Sequence, residues 1–340
     1  MNNKGKYIYG VINNKSNATG SGLLTSNGIY TVPYRDVSAV VGDSEIIDYT
    51  NLPGDVAAKR LIGYQVVIEK LMEEFTVIPV RLGTYVLSED EVMQALAKGH
   101  RMFKEIFEKI EGRIELDVAA NWVDLNAVIK EISEEEEIKA LKQAILNKKE
   151  GITVEDQIKM GMFIRSYLNK KKTEYALTIK NSLKNLCRDV KEHASADDKT
   201  ILNAAFLIDK DMRNPFEKKL EELSLGFDGK THFKCIGPLP PYNFFMIEIK
   251  KLQYEDIDRA RKKLALEAFA TKDDIKKAYK NCASVHHPDK QPDKQKIEAE
   301  TEYIEITKAY KLLSTYCQYE SCSFKREDFA RNSITVSIKE

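Results

Sequence analysis

The chain is organised around one proline-rich stretch, Cys235-Ile236-Gly237-Pro238-Leu239-Pro240-Pro241-Tyr242-Asn243-Phe244-Phe245. Each proline fixes φ and lacks a backbone donor, so neither a helix nor a central strand is expected to run through the stretch. Apolar runs flank it at Thr231–Ile236 and Phe244–Ile249 and predict two strands. Composition alone indicates a stiff turn between these strands.

The composition is typical of a soluble globular protein. With 340 residues, the chain is long enough for two domains or three small ones. Its 53 basic and 53 acidic side chains give no net charge, which offers no support for a general nucleic-acid or membrane-surface role. We expect no membrane span and no signal peptide, since no apolar run approaches ~20 residues. The 5 scattered cysteines indicate reduced thiols in a cytoplasmic protein.

The first part of the chain, 1–123, predicts an N-terminal α+β domain. Strands are expected at Tyr7–Ile12, Ile29–Val32, Val37–Val41, Val77–Thr84 and Ile114–Trp122. One helix is expected to begin at Asp55 as its N-terminal cap, and another to run from a capping box at Ser88 to Glu111. This order suits helices on one face of a sheet, and a ferredoxin-like arrangement is the natural prediction.

A second α+β domain with long helices is predicted over 124–253. Its helices are expected at Leu125–Ile132, at Glu134–Asn147 and from Val154 to about His193. A strongly apolar strand follows at Ile201–Ile208, and a helix opening at Asn214 leads back to the strand before the prolines. The acidic run Glu134–Glu137 and the lysines of the long helix are interpreted as solvated faces rather than metal or nucleic-acid sites.

The C-terminal part predicts a helical hairpin over 254–320 and a tail over 321–340. Its helices are expected at Asp258–Phe269, from the cap Thr271 onward, and at Gln295–Tyr316. A loop containing His287-Pro288-Asp289-Lys290 joins the last two helices at the tip of the hairpin. The tail alternates like a strand, and we expect it to add an edge to the second α+β domain by pairing beside Phe244–Ile249.

An ordered set of segments spans residues 7 to about 250: Tyr9-Gly10-Val11, Val37-Ser38-Ala39-Val40-Val41, Thr76-Val77-Ile78-Pro79-Val80-Arg81-Leu82-Gly83-Thr84, Ala120-Asn121-Trp122, Leu202-Asn203-Ala204-Ala205-Phe206-Leu207-Ile208-Asp209 and Gly237-Pro238-Leu239-Pro240-Pro241-Tyr242-Asn243-Phe244. This set resembles the gas vesicle protein family GvpF/GvpL. The resemblance implies structural roles for Pro79, Arg81, Gly83, Trp122, Asn203, Gly237, Pro238, Pro240, Pro241 and Tyr242. The sequence departs from the family's usual residues at Tyr64, Leu82 and Leu239.

The family resemblance implies a non-enzymatic accessory protein of gas vesicle assembly, cytoplasmic and associated with the vesicles. Such a protein would bind the small hydrophobic shell protein and other accessory proteins, and it would need no cofactor. Before assembly, a strongly apolar shell subunit exposes aggregation-prone surface, which a binding protein could shield.

The C-terminal hairpin contains Ile275-Lys276-Lys277-Ala278-Tyr279-Lys280, His287-Pro288-Asp289-Lys290 and the helical run from Tyr303 to Ser314. In these segments it resembles the J domain of DnaJ-type co-chaperones. The resemblance implies that the hairpin contacts an acidic surface of a DnaK-type chaperone and stimulates ATP hydrolysis there. The residues implied in this contact are His287, Pro288, Asp289, Lys276, Lys277 and Lys280. The usual Tyr-x-x-Leu-Gly opening is missing, Val285 and His286 replace a common basic-aromatic pair, and no clear fourth helix is predicted. A docking hairpin that keeps only the J shape is therefore the alternative.

Two other classes of function stay open. One is a general J-domain co-chaperone with an unrelated client-binding body, which would co-purify with unfolded clients rather than with a small apolar shell protein. The other is an enzyme, although the chain has no Gly-rich phosphate loop, Gly-x-Ser-x-Gly, His-Glu-x-x-His or Cys-x-x-Cys motif. Adjacent His286 and His287 lack partners at zinc-site spacing, so no metal site is predicted.

Overall fold

A computed structural model describes residues 4–13, 28–47, 49, 52–149, 151–194, 197–287, 296–317, 320–329 and 333–339 of the chain. The chain forms two compact units: Met1–Glu108 together with Met246–Glu340, and Lys109–Phe245. The predicted α+β class is confirmed, with antiparallel sheets, long helices and a helical C-terminal region. Among the described residues, no helix is long and apolar enough to cross a membrane.

The N-terminal segment builds a 5-stranded antiparallel sheet. Its elements are β1 Lys4–Asn13, β2 Ile29–Tyr34, β3 Val37–Glu45, α1 Gly54–Glu74, β4 Val77–Pro79, β5 Tyr85–Val86 and α2 Glu89–Ile110. β1 is central: one edge pairs with β3, and the other pairs with β4 and β5. Its side chains Ile8, Val11 and Ile12 are buried, as expected for a central strand covered on both faces.

Two local predictions in this segment are corrected. α1 begins after Pro53, and Asp55 lies in its first turn, where its carboxylate complements the helix dipole instead of capping the helix. The strand expected to reach Thr84 ends at Pro79, because the next residues turn toward a later strand: the Arg81 amide donates to the Ile247 carbonyl at 2.8 Å. The predicted Ser88 cap is present, since its Oγ accepts from the Glu91 amide at 3.3 Å.

The second unit contains a 4-stranded antiparallel sheet in the order β7-β8-β6-β9. Its elements are β6 Arg113–Trp122, α3 Leu125–Ser133, α4 Glu136–Leu146, α5 Val154–Leu183, β7 Asp189–Glu192, β8 Thr200–Asp209, α6 Arg213–Gly226, β9 Thr231–Leu239 and the short helix α7 Tyr242–Phe245. Asp124 caps α3 by accepting from two backbone amides, and Thr153 and Asp156 form a capping box at the start of α5.

The predicted boundary between the α+β domains, at residue 123, is corrected. The strand that we expected to close the first domain is β6, which pairs with β8 and β9 at the centre of the second sheet. Its inward side chains Leu116, Val118 and Ala120 are fully buried there. The long helix is also shorter than expected: it ends at Leu183, and Asp189–Glu192 forms strand β7 on the edge of the sheet.

The proline stretch does not end the strand before it. β9 continues through Pro238 to Leu239, with a register shift opposite β6. This is possible because β9 is an edge strand, so a missing backbone donor costs no inner ladder bond. The strand expected from Phe244 begins only at Ile247, because Tyr242–Phe245 is helical.

The C-terminal segment places its helices between two paired strands. Its elements are β10 Ile247–Lys251, α8 Tyr254–Lys263, β11 Phe269–Thr271, α9 Lys272–Val285, α10 Lys296–Tyr316, β12 Ser321–Ser323, the short helix α11 Arg326–Phe329 and β13 Ile334–Ile338. β10 pairs antiparallel with β13, and β11 with β12. The helix predicted to reach Phe269 ends at Lys263, and Ala265 beyond it has a positive φ of 52°.

The predicted return of the tail to the strand after the prolines is confirmed by the pairing of Ile247 with Ile338. Its expected place at the edge of the second α+β domain is wrong, because β10 and β13 belong to the unit of the N-terminal sheet. The reason is a parallel bridge between Val80 and Ile247, which attaches β10 beside the end of β4.

Candidate functional site

The J-like unit, residues 254–329, has its own apolar core. The core residues come from α8, α9, α10 and β11 and from the residues directly after α8, α10 and β12: Ile257, Ala260, Leu264, Ala270, Ile275, Ile306, Ala309, Leu313, Tyr316, Cys317 and Phe324. α9 starts with a capping box in which the Asp274 amide donates to Thr271 Oγ1 at 3.1 Å and the Thr271 amide donates to Asp274 Oδ2 at 2.9 Å. The bonds from Thr271 lower the pKa of the Asp274 carboxyl.

The basic residues of α9 lie on its solvent face. Lys276, Lys277 and Lys280 are exposed, while Ile275 points into the core. Within the described part of the chain none of these lysines forms a salt bridge. α9 is held against α10 by stacked rings of Tyr279 and Tyr310, whose centroids are 4.3 Å apart. The three lysines therefore place positive charge on the solvent-exposed side of α9.

His287 lies just beyond α9 and packs against α10. Its ring meets the Tyr303 ring edge to face, with centroids 5.4 Å apart. Tyr303 is hydrogen-bonded to Tyr279, which raises the pKa of Tyr303. The predicted residues Pro288 and Asp289 lie outside the described residues. The contact between His287 and Tyr303 was not predicted, although the spacing placed Tyr279 and Tyr303 on facing helices.

The family-motif residues of the N-terminal segment surround the end of β4. Pro79 is buried opposite Gly10, and Arg81 forms an ion pair with Glu248 of β10. Gly83 has a φ of 81°, and a Cβ at this position would lie 2.7 Å from the Tyr49 ring. Only glycine fits here without strain.

Tyr64, a departure from the family's usual residue, has a clear packing role. Its hydroxyl donates to the Val80 carbonyl at 2.6 Å, and its ring lies parallel to that of Tyr9, with centroids 6.2 Å apart. The Tyr7 ring packs against both, and burial raises the pKa of Tyr7. The hydroxyl thus fixes the main chain just before Arg81.

In the second unit, Trp122 is fully buried at the end of β6. Its ring contacts Tyr175 of α5 edge to face at 4.8 Å, and Tyr175 stacks on Phe227 at 4.5 Å. Asn203 lies on β8 opposite Ala119 and is partly buried. These positions are consistent with structural roles, which stay a prediction.

The proline stretch packs against a buried carboxyl group that the sequence did not reveal. Glu115 of β6 has no exposed surface, and its carboxyl accepts from the Asn243 amide at 2.9 Å and from Asn243 Nδ2 at 2.8 Å. Burial raises the pKa of Glu115 to about 8 and outweighs the opposing effect of these bonds. Asp117, two residues on, also has a raised pKa because of burial.

The motif residues before Asn243 bring the chain to this carboxyl group. Gly237 has a φ of 150°, and a Cβ there would lie 2.5 Å from Leu116 Cδ2. The Gly237–Pro238 bond is cis. Pro238 is exposed, Pro240 and Pro241 are buried, and Tyr242 is partly buried. The alternating pattern of β6 predicts that Glu115 faces solvent. The apolar neighbours Ile114 and Leu116 were the one feature of the sequence that could have suggested burial.

Comparison with known proteins separates the chain into two parts. Residues 5–246 match the family model "Gas vesicle synthesis protein GvpL/GvpF", and residues 259–318 match the DnaJ domain model. Gas vesicle protein F of Nostoc sp. is 26% identical over 228 residues, which cover 64% of this chain and 93% of that protein. Chaperone protein DnaJ of Chlorobium phaeobacteroides is 49% identical over 51 residues, covering 15% of this chain and 12% of DnaJ.

A solved structure extends the likeness to the fold. The crystal structure of gas vesicle protein GvpF from Anabaena sp. superposes with a TM-score of 0.61 and is 26% identical, covering 71% of this chain and 98% of that chain. The relatives' names are those of gas vesicle and chaperone proteins rather than of enzymes. The family match spans well over half of the sequence. The chain therefore belongs to the GvpL/GvpF family of gas vesicle synthesis proteins, and it carries a DnaJ domain near its C-terminal end.

Proposed function

We propose that this protein is a non-enzymatic accessory factor of gas vesicle assembly that recruits a DnaK-type chaperone through its J-like unit. The observation that carries the proposal is the union of a GvpF-type body with an ordered hairpin that presents His287 beside an exposed lysine face. In this proposal the protein acts in the cytoplasm, in association with gas vesicles, and uses no cofactor.

The chemistry of the hairpin favours an acidic partner. Lys276, Lys277 and Lys280 are unpaired among the described residues and lie along one exposed face, so they can steer a negative surface toward the loop. His287 is held by Tyr303 at the base of that loop and can supply a directional polar contact. Association driven by such exposed charges should weaken as salt concentration rises.

The test of chaperone recruitment is the steady-state ATPase rate of a DnaK-type chaperone with the full chain added. Wild type should stimulate the rate, His287→Gln should abolish the stimulation, and Lys276→Glu with Lys277→Glu should weaken it in a salt-dependent way. His286→Gln is the matched control, because this neighbouring histidine lies outside the motif. A wild type without stimulation would support the docking-only hairpin instead.

The proposed partner of the body is the small hydrophobic shell protein, together with other accessory proteins. Before assembly, apolar subunits need a binding surface that keeps them from aggregating. Affinity purification of the tagged full chain from cells that build gas vesicles should recover a small apolar protein in defined proportion. A mixture of unfolded proteins instead would favour the general co-chaperone. Deleting the gene should abolish or shrink the vesicles, and unchanged buoyancy would contradict this part of the proposal.

A further inference from the structure

The J-like unit is enclosed by a pair of strands. β10 and β13 pair in continuous register from Ile247–Ile338 to Lys251–Ile334. The Leu252 amide donates to the Ser333 carbonyl at 2.7 Å at one end of the pair, and the Lys339 amide donates to the Met246 carbonyl at 2.8 Å at the other. β10 leads into the J-like unit and β13 follows it, and both junctions lie at the same end of the strand pair. The J-like unit is therefore attached at both of its ends.

The strand pair is attached to the N-terminal segment by hydrogen bonds to its main chain. The Arg81 amide donates to the Ile247 carbonyl at 2.8 Å, and Lys98 Nζ of α2 donates to the Ile334 carbonyl at 2.7 Å. Burial lowers the pKa of Lys98 to about 8. Ile247 and Ile334 have no exposed surface, so the pair contributes to the core as well as to the ladder.

Ion pairs attach the same strand a second time. Glu248 pairs with Arg81, and Lys251 pairs with Glu91 of α2 at 2.5 Å. The Glu248 and Glu91 side chains are 14% and 15% exposed, so water screens these pairs less than ordinary surface pairs. Main-chain hydrogen bonds, apolar packing and ion pairs together therefore hold the strand pair to the N-terminal segment.

Neither strand belongs to the two modules that the comparisons identified. The gas vesicle match ends at residue 246 and the DnaJ match runs from 259 to 318, so Ile247–Lys251 and Ile334–Ile338 lie outside both. A module joined by one flexible linker would need no such strands. This pair is the joint between the modules.

We infer that β10 and β13 form a clamp that holds the J-like unit at a fixed position against the N-terminal sheet. If the proposed function holds, a chaperone engaged by the J-like unit acts at one defined place beside this body rather than over the range of a flexible tether. The clamp itself does not depend on that function, because it concerns motion within one unit of the chain.

The register shows where to open the clamp. The end bonds mark Leu252–Ser333 and Met246–Lys339 as hydrogen-bonded pairs, and alternation makes Glu248–Ser337 another such pair. Ser337→Pro removes this central backbone donor and forces the strand apart. Ser337→Ala keeps the donor and loses only a partly exposed hydroxyl, which makes it the matched control.

The experiment is amide relaxation by NMR on the deuterated full chain, comparing rotational correlation times of α9 and α10 with those of β1 and β3. In wild type and Ser337→Ala the values should agree. In Ser337→Pro the J-like unit should tumble about two to three times faster than the sheet, with unchanged chemical shifts for its core residues. A wild-type J-like unit that tumbles independently, or a Ser337→Pro protein that behaves like wild type, would overturn the clamp.

Chaperone stimulation separates the two proposals. Ser337→Pro leaves His287 and the lysine face untouched, so ATPase stimulation should persist while yield of gas vesicles falls. If the wild-type protein does not stimulate the ATPase, chaperone recruitment is refuted. The comparison of correlation times would still show whether the clamp exists. Normal vesicle yield from a Ser337→Pro protein with an open clamp would show that a fixed position is not needed, and would overturn the functional part of the inference.

Discussion

The buried carboxyl group of Glu115 should make the second unit less stable as pH rises from 6 to 8. In the folded chain burial raises its pKa to about 8, against 4.5 for an unperturbed glutamate. Between these values the folded unit holds a proton that the unfolded chain has released. Stability is therefore present at lower pH and is lost as pH rises toward 8.

The magnitude follows from proton linkage. Each pH unit inside this window lowers the free energy of unfolding by at most about 1.4 kcal/mol. From pH 6 to 8 the loss from this one group is therefore roughly 2 kcal/mol, because titration flattens near the upper pKa. Glu115→Gln removes the proton equilibrium. It also gives up one of the two acceptors for Asn243, so at pH 6 the variant should be less stable by about 1 kcal/mol.

The chain contains 1 tryptophan, Trp122, so its fluorescence reports on the second unit alone. Urea unfolding followed by this fluorescence at pH 6, 7 and 8 gives the free energy at each pH. The difference between Glu115→Gln and wild type should change in favour of the variant by roughly 2 kcal/mol over this range. Glu222→Gln is the control, since Glu222 is exposed and its pair with Lys219 lowers its pKa. A difference that does not change with pH would refute the reasoning.

Other substitutions test separate parts of the fold. Gly83→Ala should lower the free energy of unfolding by about 1–3 kcal/mol, because it combines a positive φ with a clash against Tyr49. Thermal melting should show this loss, whereas the control Gly54→Ala, whose Cβ would point into open space, should melt like wild type. Leu313→Ala should destabilise the J-like unit by about 2–5 kcal/mol through the cavity it leaves, seen as faster hydrogen exchange in α9 and α10 with the N-terminal sheet unaffected. Thr271→Ala should cost about 1 kcal/mol by removing the α9 cap, and exchange confined to the first turn of α9 should rise; Thr271→Ser should restore protection.

Local patterns in the sequence predicted most helices and strands. Apolar runs identified β1 and β8, and the capping signals at Ser88 and Thr271 mark real helix starts. These predictions succeeded because strand burial and helix capping leave a pattern in residues that are close together in the sequence. The resemblance of the motifs to known families identified both modules, which the comparisons confirmed.

Long-range pairing was where prediction failed. β6 reads as the last strand of the first domain, but its partners β8 and β9 lie far along the chain. The ion pair of Arg81 with Glu248 and the bond from Asn243 to Glu115 also join residues more than 100 positions apart. Nothing in local periodicity specifies such partners, and a glutamate on an alternating strand ordinarily indicates solvent.

The discontinuity of the first unit bears on the order in which the protein can fold during synthesis. Met1–Glu108 leaves the ribosome before Met246–Glu340, yet β10, which bridges to Val80 just beyond β4, belongs to the later segment. Lys109–Phe245 is contiguous and can complete its own sheet in between. We therefore expect the middle of the chain to fold before the beginning is finished, leaving the β4 edge exposed for the time needed to make about 140 residues, roughly 7–28 s at ordinary elongation rates. During that interval the unpaired β4 edge is open to mispairing and aggregation.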